Sequence, residues 1–176
     1  GPDQTICEGS TATLAGTIGG AATSGIWTTA SGGSFSPNAM TSNAVYTPAT
    51  TGLITLRFTA TDPNNVCPQA TDEMALVVNP AATVNAGPDQ AICSGSPVTL
   101  AGTIGGGATS AVWTASVPGG VFNPNANALT ATYTAPAGVT SVTLTLRTND
   151  PDGPCPAAED QMVITITPPA TVNAGQ

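Results

Sequence analysis

Basic side chains are almost absent from the sequence: it has no histidine and no lysine, and Arg57 and Arg147 are its two basic residues. Ten acidic residues bring the net charge to −8. A surface of this sign repels a phosphate backbone, which argues against nucleic-acid binding. Without an imidazole or an amine, the chain also lacks the side chains that most often act as general bases near neutral pH.

The carboxylates offer no better candidates for catalysis. Asp72-Glu73 and Glu159-Asp160 are sequence neighbours at the start of predicted strands, where successive side chains point to opposite faces. Two such groups cannot flank one glycosidic bond together. We therefore predict no catalytic residue, no enzymatic activity and no cofactor, with calcium as the one candidate ion.

Long apolar runs are missing as well, and aromatic residues make up 4% of the chain. No stretch approaches the roughly 20 apolar residues of a membrane helix, so we predict no membrane insertion. Instead, Val, Ile and Leu alternate with Thr at a period of two, for example over residues 53–59. Alternation at this period indicates β-strands with one buried face.

Two copies of one repeat make up the chain. The matching elements, first copy before second, are residues 1–4 and 87–90, residues 14–20 and 100–106, Trp27 and Trp113, and Tyr46 and Tyr133. The segment Ala-Thr-Val-Asn-Ala-Gly at residues 82–87 leads into the second copy and returns as residues 170–175. We therefore expect a third copy to open at the end of the chain, within a longer array.

Short strands separated by Gly, Pro, Asn and Ser predict an all-β fold. It consists of two tandem immunoglobulin-like β-sandwich domains of about seven strands each. Strand-like runs of the first copy cover residues 4–7, 11–18, 25–28, 44–47, 53–61 and 73–78. We place the first domain at 1–79, a linker at 80–86, the second domain at 87–167, and a linker with the start of a third copy at 168–176. The short, proline-bearing linker predicts that the two domains stand end to end.

The order of motifs resembles that of the polycystic-kidney-disease-like (PKD-like) modules. Asn-Ala-Gly-Pro-Asp-Gln at residues 85–90 is followed by Thr-x-Leu-x-Gly, a central Trp and a Tyr-Thr strand. The Gln-x-Ile-Cys motif and the later Cys-Pro resemble repeats in secreted or surface proteins of Bacteroidota, including gliding-motility and adhesin architectures. The resemblance implies a spacer module outside the cell. The chain lacks the Asp-x-Asp-Gly turn of many such modules, since Gly19-Gly20 stands at that position.

Each copy carries two cysteines at matching places. An even count in an extracellular setting favours disulfides. Because the first strand of an immunoglobulin-type sandwich runs parallel to the last, we predict bonds within each copy, from Cys7 to Cys67 and from Cys93 to Cys155. Zinc is the rival ligand, but the chain has no histidine and no closely spaced cysteine pair. Redox catalysis would need a thiolate beside a positive charge, and no basic residue lies near the cysteines in sequence.

Two interpretations fit the acidic loops before the last strand of each copy. Asp150 and Asp152 can serve as turn residues whose short side chains hydrogen-bond to their own backbone. Alternatively, they can join Asp89 in a calcium site, since calcium takes six to eight oxygen ligands. The spacing matches no dedicated calcium loop, so turn chemistry is the preferred interpretation.

Aromatic residues recur at equivalent positions in both copies, as core residues do. We assign Trp27, Trp113, Tyr46 and Tyr133 to the cores. The sequence then predicts a stalk or fibre-forming module of a bacterial surface protein, whose partners are neighbouring repeats of the same protein. The alternative is a carbohydrate- or calcium-dependent adhesion module, which would expose Trp27 and Trp113 as a platform for sugar.

Overall fold

The computed structural model describes residues 1–61, 68–149, 151, 153–173 and 175. These residues form sixteen β-strands and no helix. The chain divides into two compact units. The first comprises Gly1–Ala81 together with residues 153–155, and the second comprises the described residues of 82–151 and 156–175.

The first unit is a sandwich of a four-stranded and a three-stranded sheet. Its strands are β1 (Gln4–Cys7), β2 (Ala12–Thr13), β3 (Ser24–Thr28), β4 (Ser34–Ser36), β5 (Val45–Thr47), β6 (Gly52–Thr61) and β7 (Thr71–Asn79). The sheet orders are β1-β7-β6-β3 and β2-β5-β4. β1 runs parallel to β7, and the other neighbours are antiparallel.

The second unit repeats this plan and adds a pair of strands. Its strands are β8 (Ala82–Asn85), β9 (Gln90–Cys93), β10 (Val98–Thr99), β11 (Thr103–Gly106), β12 (Ala111–Ala115), β13 (Val121–Asn123), β14 (Thr132–Thr134), β15 (Ser141–Thr148) and β16 (Glu159–Thr167). The main sheets have the orders β12-β15-β16-β9 and β10-β14-β13, and β11 pairs with β8.

Alternation along the strands sets the two faces of each sheet. Ile54, Leu56 and Phe58 of β6 are buried, at 6% exposure or less. Arg57 lies between them on the outer face, where it pairs with Glu73 of β7 at 2.6 Å. The second unit repeats this arrangement with an Arg147–Glu159 pair at 2.6 Å. Both arginines are therefore solvated strand residues.

The strand predictions fail in two kinds of place. The predicted run over 11–18 is a strand only at Ala12–Thr13, and the three-residue strands β4 and β13 were not predicted. The predicted linker at 80–86 contains β8, which belongs to the second unit through its pairing with β11. Among the described residues no helix is long and apolar enough to cross a lipid bilayer.

Candidate functional site

Cys7 is the last residue of β1, and its partner lies far along the chain. The parallel register of β1 and β7 places Cys7 opposite Asn79, the last residue of β7. Cys7 is buried and is bonded to Cys155 with an S–S distance of 2.02 Å and a sequence separation of 148 residues. This disulfide is the candidate functional site, because it closes most of the chain into one covalent loop.

Backbone groups of the first unit surround the bond. Cys155 is 1% exposed, and its Sγ lies 3.5 Å from the carbonyl oxygen of Asn79, a contact rather than a hydrogen bond because the bonded sulfur carries no hydrogen. The same carbonyl accepts a hydrogen bond from the N–H of Glu8 at 2.8 Å. A Cβ added at Gly153, whose φ is +96°, would overlap the amide of Asn79. Glycine is therefore required in this approach to Cys155.

Neither Asn79 nor Gly153 was among the predicted site residues. The one signal available in the sequence was the glycine directly before Pro154-Cys155, in a loop whose counterpart in the first copy has none. Asn79 carried no signal, because its role depends on its carbonyl group and on the register of β1 against β7.

The predicted disulfide pairing is wrong. We expected Cys7 to bond Cys67 and Cys93 to bond Cys155, whereas Cys155 bonds Cys7. The reason is the register of the parallel strands β9 and β16. Cys93 lies opposite Thr167, the last residue of β16, whereas Cys155 comes before Glu159, the first residue of that strand. Nine strand residues span about 30 Å, well beyond the reach of a disulfide.

The structure describes one of the other two cysteines, Cys93. Cys93 is a free, exposed thiol at the place in the second unit that Cys7 occupies in the first. Cys67 lies outside the described residues. The equivalent Cys7 and Cys93 therefore lie in unlike environments, the first buried in a disulfide and the second exposed.

Of the three calcium candidates, Asp89 alone belongs to the described residues, since Asp150 and Asp152 lie outside them. Asp89 Oδ1 accepts a hydrogen bond from the N–H of Val163 at 2.8 Å. The equivalent Asp3 accepts one from Ala75 at 2.8 Å. Asp3, just before β1, and Asp89, just before β9, thus each tie that segment to the last strand of their unit. No group of three possible metal ligands occurs in the described part of the chain.

The repeated tryptophans and tyrosines lie in the cores. Trp27 and Trp113 are each 2% exposed, and their indole N–H groups donate to the carbonyls of Ser42 and Leu129 at 3.1 and 3.4 Å. Tyr46 and Tyr133 are fully buried. None of the aromatic side chains is among the large exposed apolar residues. A sugar platform built from the two tryptophans is therefore excluded.

The hydroxyls of the two tyrosines differ. Tyr46 donates a hydrogen bond to the carbonyl of Gly32. The hydroxyl of Tyr133 is the one buried side-chain polar atom without a partner within the described residues. Burial raises the pKa of both phenols, and for Tyr46 a hydrogen bond with Thr29 acts in the opposite direction.

No protein-family model and no curated protein sequence matches the chain. Among solved structures, the chain is similar to the insect immune protein hemolin with a TM-score of 0.61 and 11% identity, covering 95% of this chain and 45% of hemolin. It is also similar to a three-immunoglobulin-domain structure of titin, with a TM-score of 0.50 and 13% identity, covering 96% and 64%. The chain thus spans less than two thirds of either structure. At such identities the similarity shows the fold alone, which is that of tandem immunoglobulin-like β-sandwich domains.

Proposed function

We propose that the chain is a non-catalytic structural repeat of a long extracellular bacterial surface protein, where it acts as a stalk or fibre-forming module of the PKD-like type. The observation that carries the proposal is the Cys7–Cys155 bond. A tensile force applied to the two ends of the chain passes through this bond and bypasses the residues between the cysteines. Such a bypass limits extension under load, which suits a load-bearing spacer.

Three further features support the proposal. Disulfides persist in oxidising compartments such as the cell exterior, and they are rare in the cytosol. The buried apolar and aromatic side chains form two repeated cores, and the outer faces carry threonines and cross-strand Arg–Glu pairs. The PKD-like order of motifs supports an origin in the surface proteins of Bacteroidota.

Single-molecule force spectroscopy of the chain, held by its two ends, tests the proposal. With the disulfide intact, the segments outside the 148-residue loop can extend by only about 100 Å at ~3.5 Å per residue. Reduction should add roughly 500 Å of contour length, because the loop then becomes extensible. The variant Cys7→Ser/Cys155→Ser should give the longer extension without any reductant.

The matched control is Cys93→Ser, which removes the free exposed thiol and should leave the short extension unchanged. A non-reduced chain that releases its full contour length under load would show that the bond does not carry the force. The stalk proposal would then lose its main support.

A further inference from the structure

The end of β7 in the first unit is held in place by hydrogen bonds. The N–H of Glu8 donates to the carbonyl of Asn79 at 2.8 Å, and Oε2 of Glu8 accepts from the N–H of Ala81 at 3.2 Å. The parallel register of β1 and β7 places Thr5 and Cys7 beside this end. Thr5, Cys7, Glu8 and Asn79 thus form one surface, which we call the docking surface and which the first copy of the repeat builds by itself.

Residues 153–155, which belong to the first unit, lie on the docking surface. A Cβ built on Gly153 would overlap Nδ2 of Asn79 and would lie 3.9 Å from Cγ2 of Thr5. The backbone of Gly153 therefore approaches Asn79 so closely that a methyl group would not fit without a shift of that side chain. Cys155 is 1% exposed, and its Sγ lies 3.5 Å from the carbonyl oxygen of Asn79. The segment thus contacts the surface at two points besides the covalent bond.

The contact between the sulfur of Cys155 and the carbonyl of Asn79 has a role before the bond forms. In the reduced chain this sulfur carries a hydrogen, which it can donate to the carbonyl as a weak hydrogen bond. Oxidation removes the hydrogen and leaves only the contact. The geometry therefore provides an interaction that holds Cys155 beside Cys7 while both are still thiols.

The loop that carries this segment is fixed at both ends within the second unit. At one end, Oδ1 of Asn149 accepts hydrogen bonds from two backbone N–H groups of that unit at 2.9 and 3.0 Å. At the other end, the N–H of Ala158 donates to Oγ1 of Thr148 at 2.8 Å. The prolines on either side of Cys155 fix two further φ angles. A loop restricted in this way loses less conformational entropy when it docks, which raises the effective concentration of Cys155 at Cys7.

Comparison of the two copies separates the general features of this site from its specific ones. The backbone hydrogen bond from Glu8 to Asn79 returns in the second unit as one from Ser94 to Thr167 at 2.9 Å. The side chains at both positions differ between the copies. The loops differ as well, because the residue two places before the cysteine is glycine in the second copy and asparagine in the first. Asn79 and this glycine therefore form a matched pair, which can select one cysteine among several.

We propose that the docking surface binds the Gly-Pro-Cys segment at residues 153–155 without a covalent bond, and that this docking directs Cys7 to Cys155. The bond then forms by exchange with a small-molecule disulfide such as oxidised glutathione. One thiolate attacks it and displaces one glutathione thiolate, and the second thiolate attacks the mixed disulfide and displaces the other. The two protein thiols thus lose two protons and two electrons, and two glutathione thiols are formed. The inference goes beyond the proposed function, because docking precedes the bond and does not require a load.

Redox equilibrium gives the first test. In the whole chain carrying Cys67→Ser and Cys93→Ser, equilibrium with reduced and oxidised glutathione yields the effective concentration of the two remaining thiols. Gly153→Ala should lower this concentration by about tenfold, because the added methyl overlaps Asn79 and the backbone at positive φ is strained. An unchanged effective concentration would overturn the proposal.

Two further variants separate the contact from a general loss of stability. Gly138→Ala is the matched control, because Gly138 also has a positive φ, +83°, but nothing lies within 4 Å of an added Cβ. It should leave the effective concentration unchanged. The loss caused by Gly153→Ala should shrink by about threefold or more when Asn79→Ala is also present, since the shorter side chain leaves room for the methyl. An equal loss with and without Asn79→Ala would show that the two residues do not meet in solution, and would overturn the proposal.

Docking without the bond is directly observable by NMR spectroscopy. In the fully reduced chain, nuclear Overhauser effects should connect the α-protons of Gly153 with the methyl group of Thr5 and with the side-chain amide of Asn79. Gly153→Ala should weaken these effects, whereas Gly138→Ala should not. Their absence from the reduced chain that carries no substitution would show that the bond alone holds the segment, and the proposal would fail.

Oxidative refolding of the chain with all four cysteines tests the selection of Cys155. Tryptic peptides of the refolded chain report which cysteine Cys7 has bonded. Gly153→Ala should raise the ratio of other partners to Cys155 by about tenfold, in line with its lower effective concentration, and Gly138→Ala should not. The same ratio in Gly153→Ala as in the unsubstituted chain would overturn the proposal. The force experiment reports on the finished bond, so failure of docking is distinguishable from failure of the load-bearing role.

Discussion

Gly25 lies against the ring of Phe58, and a Cβ at residue 25 would overlap that ring. The second unit resolves the same position differently: Ala111 stands in place of the glycine, and Leu146 in place of the phenylalanine. The two copies thus fill one core position with different pairs of matched volume. A mixed pair should therefore be worse than either matched pair.

We expect Gly25→Ala to destabilise the first unit by about 1–3 kcal/mol, because overpacking a filled core forces side chains or backbone to shift. Adding Phe58→Leu recreates the pair of the second unit and should recover most of the loss. Urea unfolding, monitored through the amide resonances of β3 and of β12, reports the stability of the first and the second unit separately. Unchanged midpoints for Gly25→Ala would refute this account of the packing.

Tryptic mapping distinguishes the two disulfide patterns directly. Cleavage after Arg57 and Arg147 yields three fragments, 1–57, 58–147 and 148–176. The Cys7–Cys155 bond joins the first fragment to the third. The pairing within each copy would join all three through the middle fragment. Mass spectrometry of the non-reduced digest should therefore show the first and third fragments linked and the middle fragment separate.

The unequal tyrosines predict unequal responses to removal of the hydroxyl. Tyr46→Phe loses the hydrogen bond to the carbonyl of Gly32 and should cost about 1 kcal/mol. Tyr133→Phe removes a buried hydroxyl without a partner in the described part of the chain and should be neutral or stabilising. Urea midpoints of the two variants, compared by unit, test this. Equal losses at both positions would mean that Tyr133 has a hydrogen-bond partner in solution.

Alkaline pH should lower the stability of both units. Burial raises the pKa of Tyr46 and Tyr133 in the folded state, whereas the pKa of an exposed phenol is about 10. Above that pH the unfolded chain loses these protons before the folded chain does, so the free energy of unfolding falls as pH rises. Urea midpoints at pH values on both sides of 10 should decline less for Tyr46→Phe/Tyr133→Phe. Identical declines would assign the effect to other groups.

The core could be predicted from sequence because it depends on local alternation. Ile54, Leu56 and Phe58 alternate with polar residues, and their burial follows from the period of two alone. Recurrence of the two tryptophans at matching places predicted their burial in the same way. These inferences need neither a strand partner nor a register.

The disulfide required information that no local pattern contains. To predict it, one must know which end of β7 lies beside Cys7. The parallel register places Asn79, the last residue of β7, opposite Cys7. β8 was missed for a related reason: Ala-Thr-Val-Asn after a proline is typical of a linker, and it becomes a strand through its pairing with β11.

The position of Cys155 also sets an order of events during synthesis. Cys7 leaves the ribosome 148 residues before its partner, an interval of about 7–30 s at ~5–20 residues per second. Cys67 and Cys93 both emerge within that interval. The thiol of Cys7 must therefore pass over two earlier partners, or exchange them later, before its native bond forms. Where an earlier pair forms, the native bond requires thiol–disulfide exchange, and an oxidant without an isomerase should trap that pair.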